Sequence, residues 1–164
     1  MKRLTLFIKG NVDVRDSLHF CRVGGELVWN GVNEILRDRY PGNLVRIKHE
    51  TWTRSDALLE CTGTVPSALK CRNLPLGSYS LESQFSDAIF TTSADVIILS
   101  IQPDVTTSLV KHRRDGFLLY AGGVETWAAG DRAWLRSDYD ASGLLDVDVA
   151  IKNLAAIVAK VRNN

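Results

Sequence analysis

Leu4-Thr5-Leu6-Phe7-Ile8 runs directly into Lys9-Gly10-Asn11-Val12-Asp13-Val14-Arg15-Asp16-Ser17. A short apolar run that breaks into a polar cluster is the pattern of a buried strand ending at a polar loop. Two further stretches repeat it. Leu44-Val45-Arg46-Ile47-Lys48 leads into His49-Glu50-Thr51-Trp52-Thr53-Arg54-Ser55-Asp56, and Val96-Ile97-Ile98-Leu99-Ser100-Ile101 leads into Gln102-Pro103-Asp104. Parallel pairing of the three strands would gather their polar clusters along one sheet edge, where open α/β folds take their ligands.

The intervals support parallel pairing. Leu27, Val28, Val32, Ile35, Leu36 and Tyr40 recur at helical spacing between the Gly24-Gly25 and Pro41-Gly42 breaks, which predicts a crossover helix between the first two strands. Ser55-Asp56 reads as the cap of a short helix through Leu59. Residues 63–83 carry Pro66, Pro75, Gly77 and several serines; so long an irregular stretch points to a lid, a mobile segment or an interface. Val105–Arg114 reads as helical, Phe117–Tyr120 as a short strand and Val124–Leu135 as a helix. Val147, Ile151, Leu154, Val158 and Val161 form one apolar stripe on a last helix capped by Asp146, and that stripe is expected to face the core. The expected architecture is α/β, a three-layer flavodoxin-like parallel sheet flanked by helices, in a single domain over 1–164. Only three strands are evident before the last helix, so the sheet reads as incomplete at its carboxyl-terminal side, either in a truncated chain or in a domain completed by a partner chain or a homo-oligomer.

Composition narrows the function classes. Twenty basic against nineteen acidic residues give a net charge of +1, which supplies no field for nucleic acid or a membrane surface. No stretch approaches the roughly 20 apolar residues of a membrane-spanning helix, and Lys9, Asn11 and Asp13 interrupt any leader-like run, so a cytoplasmic location is expected. The scattered Cys21, Cys61 and Cys71 suit a reducing compartment. With His19, His49 and His112 they form no ligand spacing, so neither a metal nor a cofactor is expected. Lys111-His112-Arg113-Arg114 reads as a solvated face, and Gly24-Gly25 and Gly122-Gly123 as turns.

The Asp16-Ser17-Leu18 block, placed after a first strand and before a helix, resembles the SGNH/GDSL hydrolases, serine esterases on a flavodoxin-like sheet. The resemblance runs through about residue 105 and implies an acyl-ester or acetyl-ester substrate with Ser17 as nucleophile beside Asp16. Five residues separate Gly10 from Asp16, Pro103 falls where the family's donor asparagine would be, and no histidine follows His112 to supply its Asp-x-x-His block. The base would then have to be His49, from the end of the second strand, or His19, two residues beyond Ser17. Gly10-Asn11-Val12-Asp13 also resembles the Gly-Asn-Cys-Gln opening of an SGNH-related acyltransferase family of polysaccharide biosynthesis, which makes Asn11 and Asp13 binding groups. Substrate or oxyanion contacts are expected from Gly10, Asn11, Asp13, Arg15, Thr51, Arg54, Gln102 and Asp104. Arg54 suits a carboxylate or phosphate through its planar fork. The alternative is a non-catalytic α/β module that binds a small anionic ligand, or a partner chain, at the same edge.

Overall fold

A computed structural model of the 164-residue chain describes residues 2–23, 26–29 and 31–163. Their order is β1 (Lys2–Lys9), α1 (Val12–His19), β2 (Phe20–Val23), β3 (Glu26–Trp29), α2 (Gly31–Arg39), β4 (Asn43–Glu50), α3 (Ser55–Leu59), α4 (Leu81–Gln84), α5 (Ala88–Thr91) and β5 (Val96–Leu99). There follow α6 (Gln102–Thr106), β6 (Leu109–His112), β7 (Leu118–Leu119), a 3₁₀ turn at Val124–Thr126, α7 (Ala129–Asp138), β8 (Tyr139–Ser142) and α8 (Val147–Arg162). The chain divides into two compact units, residues 1–50 with 92–101, and residues 51–91 with 102–164.

The first unit is built on the three expected strands, which pair in parallel in the order β4-β1-β5. Leu6 stands opposite both Ile47 and Val96. Phe7 and Ile8 of the central strand are both buried although they point to opposite faces, the double-sided burial that parallel sheets require. The crossover differs from the predicted single helix. Phe20 pairs with Trp29 and Val23 with Glu26 in an antiparallel β2-β3 hairpin, so Leu27 and Val28 belong to a strand and α2 begins only at Gly31. β-branched and aromatic residues on both sides of a double glycine favour a hairpin over a helix start. The double glycine itself, Gly24-Gly25, lies outside the described residues. Asn33 of α2 accepts from Val45 N at 2.7 Å and donates to Val45 O at 2.9 Å, which satisfies part of the outer edge of β4.

The second unit holds a small antiparallel sheet, β7-β6-β8. Leu109–His112 is a strand in it, where helix was expected; antiparallel pairing on both sides, Val110 to Leu119 and His112 to Tyr139, decides for β. The Phe117–Tyr120 strand is present as the two-residue β7, and the predicted Val124–Leu135 helix is present only from Ala129 onward as α7, Val124–Thr126 forming the 3₁₀ turn and Trp127 being extended. Leu69, Leu76, Phe85, Leu119, Trp127, Leu135 and Tyr139 form its core. Two of these residues come from the irregular 63–83 stretch. Consecutive turns hold that stretch, with Leu69 N donating to Pro66 O and Arg72 N to Leu69 O. Gly63 has φ +73°, and a β-carbon there would stand 2.7 Å from Asp87 Oδ1, so both backbone sign and space demand glycine.

α8 starts at its predicted cap, with Asp146 accepting from Asp148 N and Val149 N. Its buried face is not the predicted one. Ala150 and Ile157 are buried, with Asn153, Leu154 and Val161 half-buried, and α8 packs on α3, α5 and α6. Val147, Ile151 and Val158 are 62%, 59% and 44% exposed. The apolar arc of this helix is wider than one packing face, and the hydrophobic period alone could not choose which part of it turns inward.

Candidate functional site

The first unit sets up a ligand edge by topology. From the central strand β1 the chain passes to β4 on one side, and β5 then adds on the other. The crevice beyond the carboxyl ends of β1 and β5 is therefore a switch point, the place where open α/β sheets leave room for a ligand. Gly10 and Asn11 follow β1, and Ser100 follows β5.

Several bonds draw these strand ends together. Gly10 N donates to Glu50 O at 3.0 Å, and Ser100 N to Lys9 O at 3.0 Å. Lys9, with no exposed surface, places its ammonium 2.8 Å from Glu50 Oε2. Burial of an ammonium is tolerable only with such a partner. His49 Nε2 lies 2.8 Å from Gly10 O. A carbonyl can only accept, so Nε2 is the donor. Ser100 Oγ donates to Asp13 Oδ2 in the first turn of α1. A β-carbon on Gly10 would meet Ser100 Cβ and Val14 Cβ, both at 3.3 Å, so the turn between β1 and α1 is closely packed. Asn11 O accepts from Arg15 N at 2.9 Å and opens the helix.

Asp16 and Ser17 lie farther along α1. Asp16 takes the Arg15 guanidinium at 2.7 Å. Ser17 is exposed, and its Oγ donates to Asp13 O, one turn back, at 2.7 Å. That is the usual resting place of a helical serine, and a backbone carbonyl is no base.

Thr51, Arg54, Gln102 and Asp104, the remaining sequence-predicted residues, belong to the second unit. Thr51 Oγ1 donates to Ser78 O at 2.6 Å. Gln102 is exposed at the start of α6. Arg54, 1% exposed, directs all five N–H groups at acceptors within the unit. Nε and Nη2 bind Asp56 at 2.9 and 2.8 Å. Nη2 also reaches Ser142 Oγ at 3.0 Å, and Nη1 reaches Thr107 O and Gly143 O. The planar fork that suits a ligand anion here ties α3 to the ends of α6 and β8.

Asp104 is enclosed beside it. Its Oδ1 accepts Ser55 N at 2.7 Å, and Asn153 of α8 donates to Ser55 Oγ at 3.2 Å. Asp104 Oδ2 is buried with no hydrogen-bond partner among the described residues. Burial pushes the Asp104 carboxyl above its ordinary value, against the opposing bonds from Ser55. A carboxyl raised in the folded state contributes most below the unfolded pKa, about 3.9, and that contribution is lost as pH rises through the folded pKa. Asp104→Asn keeps an acceptor for Ser55 N and removes the ionisation. Urea midpoints from pH 3 to 8 should coincide with the parent at the acid end and exceed it increasingly above pH ~4. Parallel curves over the whole range would mean that Asp104 ionises as freely folded as unfolded.

No family model, curated protein or solved structure matches this chain.

Sequence reasoning nominated Gly10, Asn11, Asp13 and His49, which the sheet brings to one edge. It passed over Lys9, Glu50 and Ser100, although each is the polar residue at the end of its strand, and that position was the available signal. Among the described residues no group of His, Cys, Asp and Glu has the arrangement of a metal site, and no helix is long and apolar enough to cross a membrane.

Proposed function

We propose that the chain is a non-catalytic α/β module that binds a small anionic ligand at the carboxyl edge of its parallel sheet. The observation that carries this is the switch point between β1 and β5, with Gly10, Asn11, Asp13 and Ser100 around it. The strand order β4-β1-β5 equals the second-first-third order at the start of a flavodoxin-like sheet once the hairpin is set aside, which supports the flavodoxin-like, SGNH-like architecture. Lys9 is matched in charge by Glu50, while Asp13 takes a hydrogen bond from the Ser100 hydroxyl and is the acidic residue of the first turn of α1. The amino end of α1 then favours a negative group by about 0.3–1 kcal/mol, and Asn11 stands at that end. The exposed thiol of Cys71 supports a reducing, cytoplasmic setting.

Acyl-ester hydrolysis is the second reading, favoured by the exposure of Ser17 within the same unit as His49. It requires Ser17 Oγ to leave Asp13 O for a base. The two readings separate in one pair of measurements. On the binding reading, acetate or phosphate raises the thermal midpoint, and Asn11→Ala weakens that response about tenfold, as for one lost bond to a charged group. A fluorophosphonate probe then leaves no Ser17-dependent adduct by intact mass. An adduct abolished by Ser17→Ala would instead establish a competent nucleophile and overturn the non-catalytic reading.

A further inference from the structure

The second unit contains a cleft of about 450 Å³, lined by Arg72, His112, Arg113, Arg114, Trp134 and Asp138 among others. That volume lies in the range of small-molecule sites, roughly 300–1,000 Å³. None of these residues belongs to the sheet edge discussed above.

Its walls come from three places. β6 ends at His112 and turns through Arg113 and Arg114. α7 brings Trp134 and Asp138, and Arg72 comes from the turn-rich segment. The Arg72 guanidinium lies 3.8 Å over the Trp134 ring, so cation and indole form one platform. His112 is nearly enclosed, stacked on Phe117 at 4.7 Å and edge-on to Tyr139 at 4.9 Å. Its Nδ1 lies 3.1 Å from Asp115 N and 3.3 Å from the Asp115 carboxylate.

The charges in the lining are three guanidinium groups against the single carboxylate of Asp138. Asp131, Asp140 and Asp115 pair with Arg72, Arg113 and Arg114 and stand outside the lining, while Arg113 Nη1 also donates to Ser137 O within it. Those three arginine side chains are 34%, 50% and 78% exposed. Exposed ion pairs of this kind are weak and exchange readily for a better anion. Guanidinium forks match the geometry of phosphate oxygens, and an aromatic face beside them suits a flat organic group.

We propose that this cleft binds a small phosphate monoester, its phosphate taken by Arg113 and Arg114 and its organic part lying against the Arg72–Trp134 platform. The test is calorimetric titration of the full chain with phenyl phosphate at fixed ionic strength. Saturable one-to-one binding is expected, with phenol giving none. Arg113→Gln/Arg114→Gln, a double change at exposed positions, should leave the circular dichroism melt unchanged and weaken binding at least about tenfold, as for lost charge-assisted bonds. Arg72→Gln should weaken phenyl phosphate more than inorganic phosphate. The absence of saturable binding overturns the proposal, as does equal binding by the double variant. Binding that survives the double change but falls in Asn11→Ala places the anion at the sheet edge and likewise overturns it.

Discussion

Arg54→Met lowers the stability of the second unit by about 3 kcal/mol, the lower end of what breaking a buried ion pair costs. The side chain is 1% exposed, whereas its partner Asp56 is 22% exposed, and the water that reaches Asp56 sets the lower figure. Methionine retains much of the volume, so the loss reports the hydrogen bonds and the charge rather than a cavity. Thr107 O, Gly143 O and Ser142 Oγ all lose a donor at once, and orphaned buried acceptors add to the cost. Urea unfolding followed by tryptophan fluorescence should show the midpoint falling by about 1–2 M for a slope of roughly 1.5–3 kcal/mol/M. A midpoint within experimental error of the parent would mean that the guanidinium is not a structural tie, and would return it to the list of ligand contacts.

Leu69→Ala should cost about 3 kcal/mol, within the range of roughly 2–5 kcal/mol for emptying a buried leucine site. Leu69 has no exposed surface and packs in one cluster with Leu119 and Trp127, although it lies in a segment with neither helix nor strand. Backbone turns at Pro66, Ser67 and Leu69 hold it there, and a fixed backbone relaxes little around a cavity. The neighbouring exposed Lys70→Ala serves as the control and should change stability by less than about 0.5 kcal/mol. Equal, small effects of the two changes would show that the 63–83 segment opens independently of the core, as a lid would.

The contrast between those two residues explains what could be read from the chain. The three strands of the parallel sheet were legible because each is a short apolar run with an abrupt polar end, and that local signal survives any tertiary context. The convergence of Gly10, Asn11 and His49 followed from strand direction alone. Leu27 and Val28 misled because two apolar residues fit a helical face or a strand equally well, and only pairing with Arg22 and Cys21 of the facing strand decides. Leu69 and Leu76 were hidden among prolines, glycines and serines, where no period marks a buried side chain. The two roles of arginine were also invisible. Arg54 and Arg114 have the same chemistry in sequence, yet one is spent on internal acceptors and the other lies 78% exposed at a cleft. Burial, which depends on contacts far along the chain, makes that difference.

The two compact units are interleaved along the chain, residues 1–50 with 92–101 and 51–91 with 102–164. Neither unit is a contiguous stretch of the polypeptide. During synthesis β1 and β4 emerge early, but the third strand of their sheet arrives only after forty-one residues that belong to the other unit. A ribosome that has reached Thr91 therefore carries an unfinished sheet with one side of β1 unpaired, and closing it means closing a long loop at an entropic cost that grows slowly with length. Cutting the gene at any single point separates pieces that need each other, so the units are parts of one folding problem rather than modules to be exchanged.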